Sequence, residues 1–128
     1  VAIVLATIDR DSLPAKVAVS TLTFAELVVG PHGATHDLAR VRREHQLRYV
    51  RANVEPLDFD LRCARAYGPI YGAVVQKGRK PRGARAIDVM IAATALAHDL
   101  PLYTRNPKDL RGLESLVEIV DVGRPYGS

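Results

Sequence analysis

Short β-branched runs alternate with stretches of helical period along this chain, and that alternation leaves few folds open. VAVS at 17–20, the run from Val54 to Phe59, LPLYT at 100–104 and the run from Val117 to Val122 read as strands. Helical spacing predicts helices starting at TFAELVVG, from Asp37 to Ala52, from Asp60 to Gln76 and from Ala86 to His98, with a short one from Pro107 to Leu113. Strands separated by helices pair in parallel through crossovers. The pattern therefore predicts an α/β fold in three layers, a parallel sheet flanked by helices on both faces.

Within the helices, the spacing sorts the residues further. Leu38, Val41, His45 and Val50 fall roughly along one face, and Leu61, Ala64, Tyr67, Tyr71 and Val74 recur at helical intervals. Gly68-Pro69 inside the second pattern predicts a kink or a break, and Pro31, His32 and Gly33 interrupt or bend the first helix. The stretch from Ala86 to His98 is apolar almost all round, the mark of a buried helix.

A chain of 128 residues fits one domain spanning 1–128, and 48% hydrophobic content is enough for a single core. No run reaches the ~20 apolar residues of a membrane helix, and VAIVLA lacks the basic flank of a signal peptide. The single cysteine, Cys63, rules out an internal disulfide and fits a reducing cytoplasm; on an apolar helix it reads as a small buried hydrophobe. The net charge of +4 favours a polyanionic partner. Arg40, Arg42, Arg43, Arg48 and Arg51 lie in a helical pattern and read as a solvated face. Lys77, Arg79, Lys80, Arg82 and Arg85 lie in a glycine- and proline-bearing loop just before Asp88, where they are placed to touch phosphate.

Three acids fall where a strand gives way to a helix or in a helix's opening residues: Glu26, Asp88 and Asp109. In a parallel sheet, the carboxyl ends of the strands converge on one edge, and ligands bind there. Gathered carboxylates repel one another unless a cation intervenes, and a hard divalent ion such as Mg²⁺ takes a few carboxylates plus water. Each acid also has a purely structural reading. Thr23 to Glu26 matches a capping box, Asn106 to Asp109 matches a capped helix start with Pro107 at its first position, and Asp88 stands near the positive end of a helix dipole. A zinc site gains nothing from His32 and His36, because Pro31 and Gly33 break the helical spacing in PHGATH. No GxSxG elbow supports a nucleophilic serine.

The order and spacing of STLTFAEL and of GRKPRGARAIDVMIAATALAHDLPLYTRNPKDLRGL resemble the PIN-domain ribonucleases, specifically the VapC toxins of type II toxin–antitoxin pairs. The resemblance covers nearly the whole chain and is most specific from Ala86 to Leu113. It implies a five-stranded parallel sheet with an acidic pocket at its carboxyl edge and a Mg²⁺-dependent (or Mn²⁺-dependent) endoribonuclease acting on RNA, with transfer or ribosomal RNA as the target class. It assigns the metal and catalytic acids to Glu26, Asp88 and Asp109, with Thr104 and Asn106 beside the last. Arg79, Lys80, Arg82, Arg85 and Arg105 would grip the RNA backbone. It further implies a cytoplasmic protein with a VapB-type antitoxin that neutralises it, and a homodimer. The alternative is a catalytically inactive PIN-like module that binds RNA or protein.

The family's first acid ends the first strand and is followed by an apolar helix. VAIVLA aligns best just past that acid, so the first strand and its acid are expected upstream of Val1, with Val1–Ala6 in a helix. The rival alignment makes VAIVL the first strand and Asp9 the acid, but leaves little room for a helix before Glu26.

Overall fold

The fold was analysed in a computed structural model, which describes residues 2–4, 17–78, 83–104 and 107–122. The strands are β1 (Ala2–Val4), β2 (Val17–Ser20), β3 (Glu55–Leu57), β4 (Leu102–Thr104) and β5 (Ile119–Asp121). The α-helices are α1 (Thr21–Val29), α2 (Asp37–Asn53), α3 (Leu61–Gln76) and α4 (Ala84–Ala97), and two short 3₁₀ turns cover Gly30–Gly33 and Pro107–Leu110. All strand pairs are parallel, in the order β3-β2-β1-β4-β5. The chain steps outward from β1 through β2 to β3, then crosses to β4 on the other side. The strand order therefore reverses between β1 and β4, which is where a sheet of this kind opens a crevice.

One expectation is corrected here. Ala2–Val4 form a strand rather than part of a helix, and that strand occupies the centre of the sheet, with Ile3 in register with both Ala18 and Leu102. The composition explains it: Ile3 and Val4 are β-branched, and a central parallel strand takes apolar residues throughout because both of its faces are covered. Asp9, the acid of the rival alignment, lies outside the described residues.

Side chains alternate along β4 and divide the interior in two. Leu102 belongs to the main core with Ile70 and Val74 of α3, with Val89, Ile91, Ala92, Ala93 and Ala95 of α4, and with Leu110, Leu113 and Val117. Tyr103 faces the other way, toward Val19, Phe24 of α1 and Val50 of α2. Helices thus cover both faces, and α4 is the most completely enclosed of them: Ile91, Ala92, Ala93 and Ala95 are each fully buried.

Three helix starts are fixed by side chains. Ser20 accepts a hydrogen bond from the Leu22 amide at 3.1 Å, His36 Nδ1 accepts from the Ala39 amide at 3.3 Å, and Asp60 Oδ1 accepts from the Cys63 amide at 3.2 Å. Cys63 is fully buried, as its apolar setting predicts. The Gly68-Pro69 pair does not break α3, which runs unbroken from Leu61 to Gln76. Both residues are exposed, so the carbonyl that loses its partner to Pro69 faces water, while Ile70 and Val74 anchor the opposite side in the core.

The apolar periodicities divide between inside and outside. Tyr67 and Val74 pack inward, whereas Leu61 and Tyr71 remain 63% and 45% exposed. On α2, Leu38 and Val41 are likewise exposed and only Val50 reaches a core cluster. The arginines of α2 are all exposed. Arg43 donates to the Gly30 carbonyl at 2.8 Å, and Arg40 meets Asp37 at 3.0 Å in an exposed pair of the kind that adds little stability.

Candidate active site

Asp88 is where the three acids first make themselves felt. It stands one turn into α4, past the first turn, which holds no acid. The helix dipole falls off within that first turn, so it gives Asp88 little support. The flanking Val89 and Ile91 are buried, and Asp88 itself is only partly open to water. Its acid is pushed up from 3.8 to about 6. Burial is the main cause; the negative charges of Glu26 and then Asp109 add to it, and Arg85, three residues earlier on the same helix, opposes them. Residues separated by 88 − 26 = 62 and 109 − 88 = 21 positions are therefore within electrostatic reach in the folded chain.

Glu26 reaches this place from α1. The capping-box reading is corrected: Ser20, not Thr23, caps the helix, so Glu26 lies six positions past the cap, too far along to bond the free amides. Thr23 is instead buried inside the helix. Serine is the stronger cap of the two and directly follows the β-branched run, a signal that the sequence offered. Partial burial also raises the Glu26 acid above its ordinary 4.5. Asp109 sits exposed in the 3₁₀ turn Pro107–Leu110 that follows β4. Among the described residues no hydrogen bond or salt bridge neutralises Glu26, Asp88 or Asp109.

Thr104 closes β4 and is almost completely buried; its carbonyl accepts from the Val122 amide at 3.1 Å. Arg85 is described and lies beside Asp88. Arg105 and Asn106, and likewise Arg79, Lys80 and Arg82, fall outside the described residues. Sequence reasoning passed over Asp121, the last residue of β5, which is in register with Thr104 at the same carboxyl edge of the sheet. Its charge is not among those that shift Asp88.

Carboxylates that repel one another in a partly dry setting are the donor chemistry a hard divalent cation relieves. Among the described residues, no three His, Cys, Asp or Glu side chains close into a metal cage. Mg²⁺ does not need one, since one or two carboxylates with water complete its shell. Asp88, with Glu26 and Asp109 close by, fits that pattern.

The profile of the PIN domain matches residues 2–115. The chain belongs to the PIN domain family. Ribonuclease VapC5 of Mycobacterium tuberculosis (strain ATCC 25618 / H37Rv) is 32% identical over 117 residues, covering 90% of this chain and 83% of that protein. Ribonuclease VapC2 of Rickettsia felis (strain ATCC VR-1525 / URRWXCal2) is 26% identical, covering 79% and 71%. In three dimensions, this PIN domain superposes on a crystal structure of VapBC-5 from Mycobacterium tuberculosis, a member of the VapBC family of toxin-antitoxin systems. The TM-score is 0.73 at 28% identity, over 94% of this chain and 97% of the other. These matches place the chain among the VapC-type PIN domains, as its TFAEL and TRNPKDL segments led one to expect.

Proposed function

We propose that this PIN domain is a metal-dependent endoribonuclease, the toxin of a toxin–antitoxin pair, held inactive by a VapB-type partner. The observation that carries the reading is the convergence on Asp88. A carboxyl group on a buried helix is raised to about 6 by burial and by two acids distant in sequence, opposed only in part by Arg85, with no salt bridge to it among the described residues. The names of the relatives, ribonucleases and a toxin–antitoxin complex, support the same conclusion.

Asp88, the most buried of the three acids, would be the direct ligand, and Glu26 and Asp109 would hold water around the ion. When bound, Mg²⁺ or Mn²⁺ supplies a Lewis acid that shields phosphate charge and acidifies water for in-line attack on phosphorus. Thr104 and Asn106, at the end of β4 and just beyond, would orient a water or a phosphate oxygen. Arg85 would steady the phosphate next to Asp88 while limiting the mutual repulsion of the acids. Arg79, Lys80, Arg82 and Arg105 would hold the RNA backbone, positioning it without reading its sequence. The products expected are a 5′-phosphate and a 3′-hydroxyl, with transfer or ribosomal RNA as the substrate class.

The test is cleavage of total RNA by the purified protein, with and without chelator, against Asp88→Asn. Cleavage that needs the divalent ion and falls by at least ~100-fold in the variant is the expected result. Cleavage that the variant retains in full would remove Asp88 from the chemistry. A wild-type protein that binds RNA but never cuts it would return the domain to the class of binding modules.

A further inference from the structure

The chain's excess positive charge is gathered in one stretch. From Leu61 to Ile87, which spans α3, the loop after it and the start of α4, there are seven lysines and arginines and no acid. The rest of the chain holds 18 − 7 = 11 such cations against 14 acids. Five of the seven lie between Lys77 and Arg85, in the segment that faces phosphate in the nuclease reading. Arg62 and Arg65, on α3, have no role in it. Arg62 meets Asp60 at 3.6 Å; Arg65 is exposed and forms no salt bridge among the described residues.

The same helix carries Tyr71, the one exposed aromatic side chain among the described residues. A helical side chain leans over the turn before it, here the turn of Tyr67 and Gly68. The Tyr67 ring supports one side, with centroids 5.9 Å apart and an interplanar angle of 43°. Gly68 borders the other side, where a Cβ would meet nothing within 4 Å. Glycine eases the helical turn ahead of Pro69, and it also leaves this flank of the ring bare. Arg65 and Tyr71 each lie three residues from Gly68, so both border the gap above it. An aromatic face, a bare floor and a cation share one exposed patch.

We propose that this patch of α3 is a subsite for an unpaired RNA base, which stacks on Tyr71 over the bare backbone at Gly68 while Arg65 meets the adjoining phosphate. The choice of RNA rests on the nuclease reading, which the subsite extends. Aromatic faces beside cations hold single strands because every base has a π-face and every linkage a negative charge. An acid-free stretch on a chain whose other parts are net negative selects a polyanion. The position suits the same ligand. α3 and α4 run antiparallel: Asp60, which caps α3, is within electrostatic reach of His98 at the end of α4, and Thr94 bears on the Cys63 thiol. Tyr71 lies eleven residues on from Asp60, and Ile87 eleven back from His98. Tyr71 is therefore about level with the neighbour of Asp88. Packed helices lie ~8–10 Å apart, so a strand held at the acids reaches Tyr71 within a few nucleotides.

Equilibrium binding of a fluorescein-labelled single-stranded RNA of mixed sequence to the full chain, in chelator, tests the proposal with cleavage switched off. Tyr71→Ala should weaken binding by roughly fivefold or more and leave its salt dependence unchanged, whereas Tyr71→Phe should bind as wild type does. Arg65→Ala should flatten the salt slope by about one phosphate contact. The chain contains no tryptophan, so unlabelled RNA should quench tyrosine emission, and that quenching should shrink in Tyr71→Phe. Duplex RNA, whose bases are already stacked, should bind wild type and Tyr71→Ala alike. Full affinity in Tyr71→Ala, or an equal loss on duplex and single strand, would overturn the proposal. Full affinity together with lost antitoxin binding would hand the patch to the protein partner. A chain that binds RNA through Tyr71 yet never cuts it would sink the nuclease reading and leave the subsite standing; one that cuts RNA while Tyr71→Ala binds normally would do the reverse.

Discussion

At Asp88, burial and like charge act in the same direction, and the consequence can be measured. The folded acid titrates at about 6 against 3.8 when unfolded, so the native state binds the proton more tightly. Asp88 therefore costs the metal-free fold nothing below ~pH 4 and progressively destabilises it as pH rises through ~6. Asp88→Asn should thus raise the stability of the metal-free protein at ~pH 8 by ~1 kcal/mol, a figure discounted for the water that reaches the group, and leave it unchanged near pH 4. Thermal melts at the two pH values check this, and equal melting temperatures at ~pH 8 would count against it. Gly112 is a contrasting case, set by geometry alone. Its φ is 95°, and a Cβ would come within 2.8 Å of Lys77 Cγ and 3.0 Å of the Ala73 carbonyl. Gly112→Ala should cost roughly 1–3 kcal/mol in urea unfolding. Asp88 could be singled out from the sequence because an acid within an apolar helix is conspicuous; Gly112 could not, because its neighbours come from a distant helix.

At the scale of elements, the cap of α1 links stability to the site. Ser20 is fully buried and satisfies the Leu22 amide at the point where β2 becomes α1. Ser20→Ala should cost ~1 kcal/mol; in the proposed nuclease it should also lower RNA cleavage, because α1 carries Glu26 toward Asp88. A variant as stable as wild type would show that the cap is dispensable. The same junction shows how legible the elements were. Apart from Ala2–Val4, expected in a helix and found as a strand, helix and strand identities followed from period and β-branching, and the ends of α2 and α3 were placed to within a residue or two. Apolar periodicity did not say which face was inside. Leu61, Ala64 and Tyr71 satisfy helical spacing as well as Tyr67 and Val74 do, yet only the latter pack against α4, because spacing records that a stripe exists and not what covers it. Pro69 likewise signalled a break that packing of Ile70 and Val74 overrode.

For the molecule as a whole, the proposed ion and the basic surface give two further outcomes. A ligand that binds only the folded state raises the melting temperature, and a proton on Asp88 competes with a cation. Mg²⁺ should therefore stabilise the protein clearly at ~pH 8 and little at ~pH 5, with chelator removing the effect; a shift of the same size at both would exclude Asp88 as a ligand. The net charge of +4, together with the loop before α4, should make RNA binding fall steeply with salt. Replacing Arg79, Lys80 and Arg82 together with Ala should flatten that slope by up to ~2–3 phosphate contacts, and an unchanged slope would leave the loop without a role on RNA.

Local physics was written in the order of residues: β-branched runs made strands, helical period made helices, and a charge set in an apolar helix marked Asp88. The family, too, was legible, in the spacing from Ala86 to Leu113. Other decisions depended on groups far apart along the chain. Only the fold could bring Glu26 and Asp109 into the field of Asp88, seat Ala2–Val4 between β2 and β4 and leave one side of α3 uncovered, because these outcomes follow from distances between elements and each segment alone records only its own period.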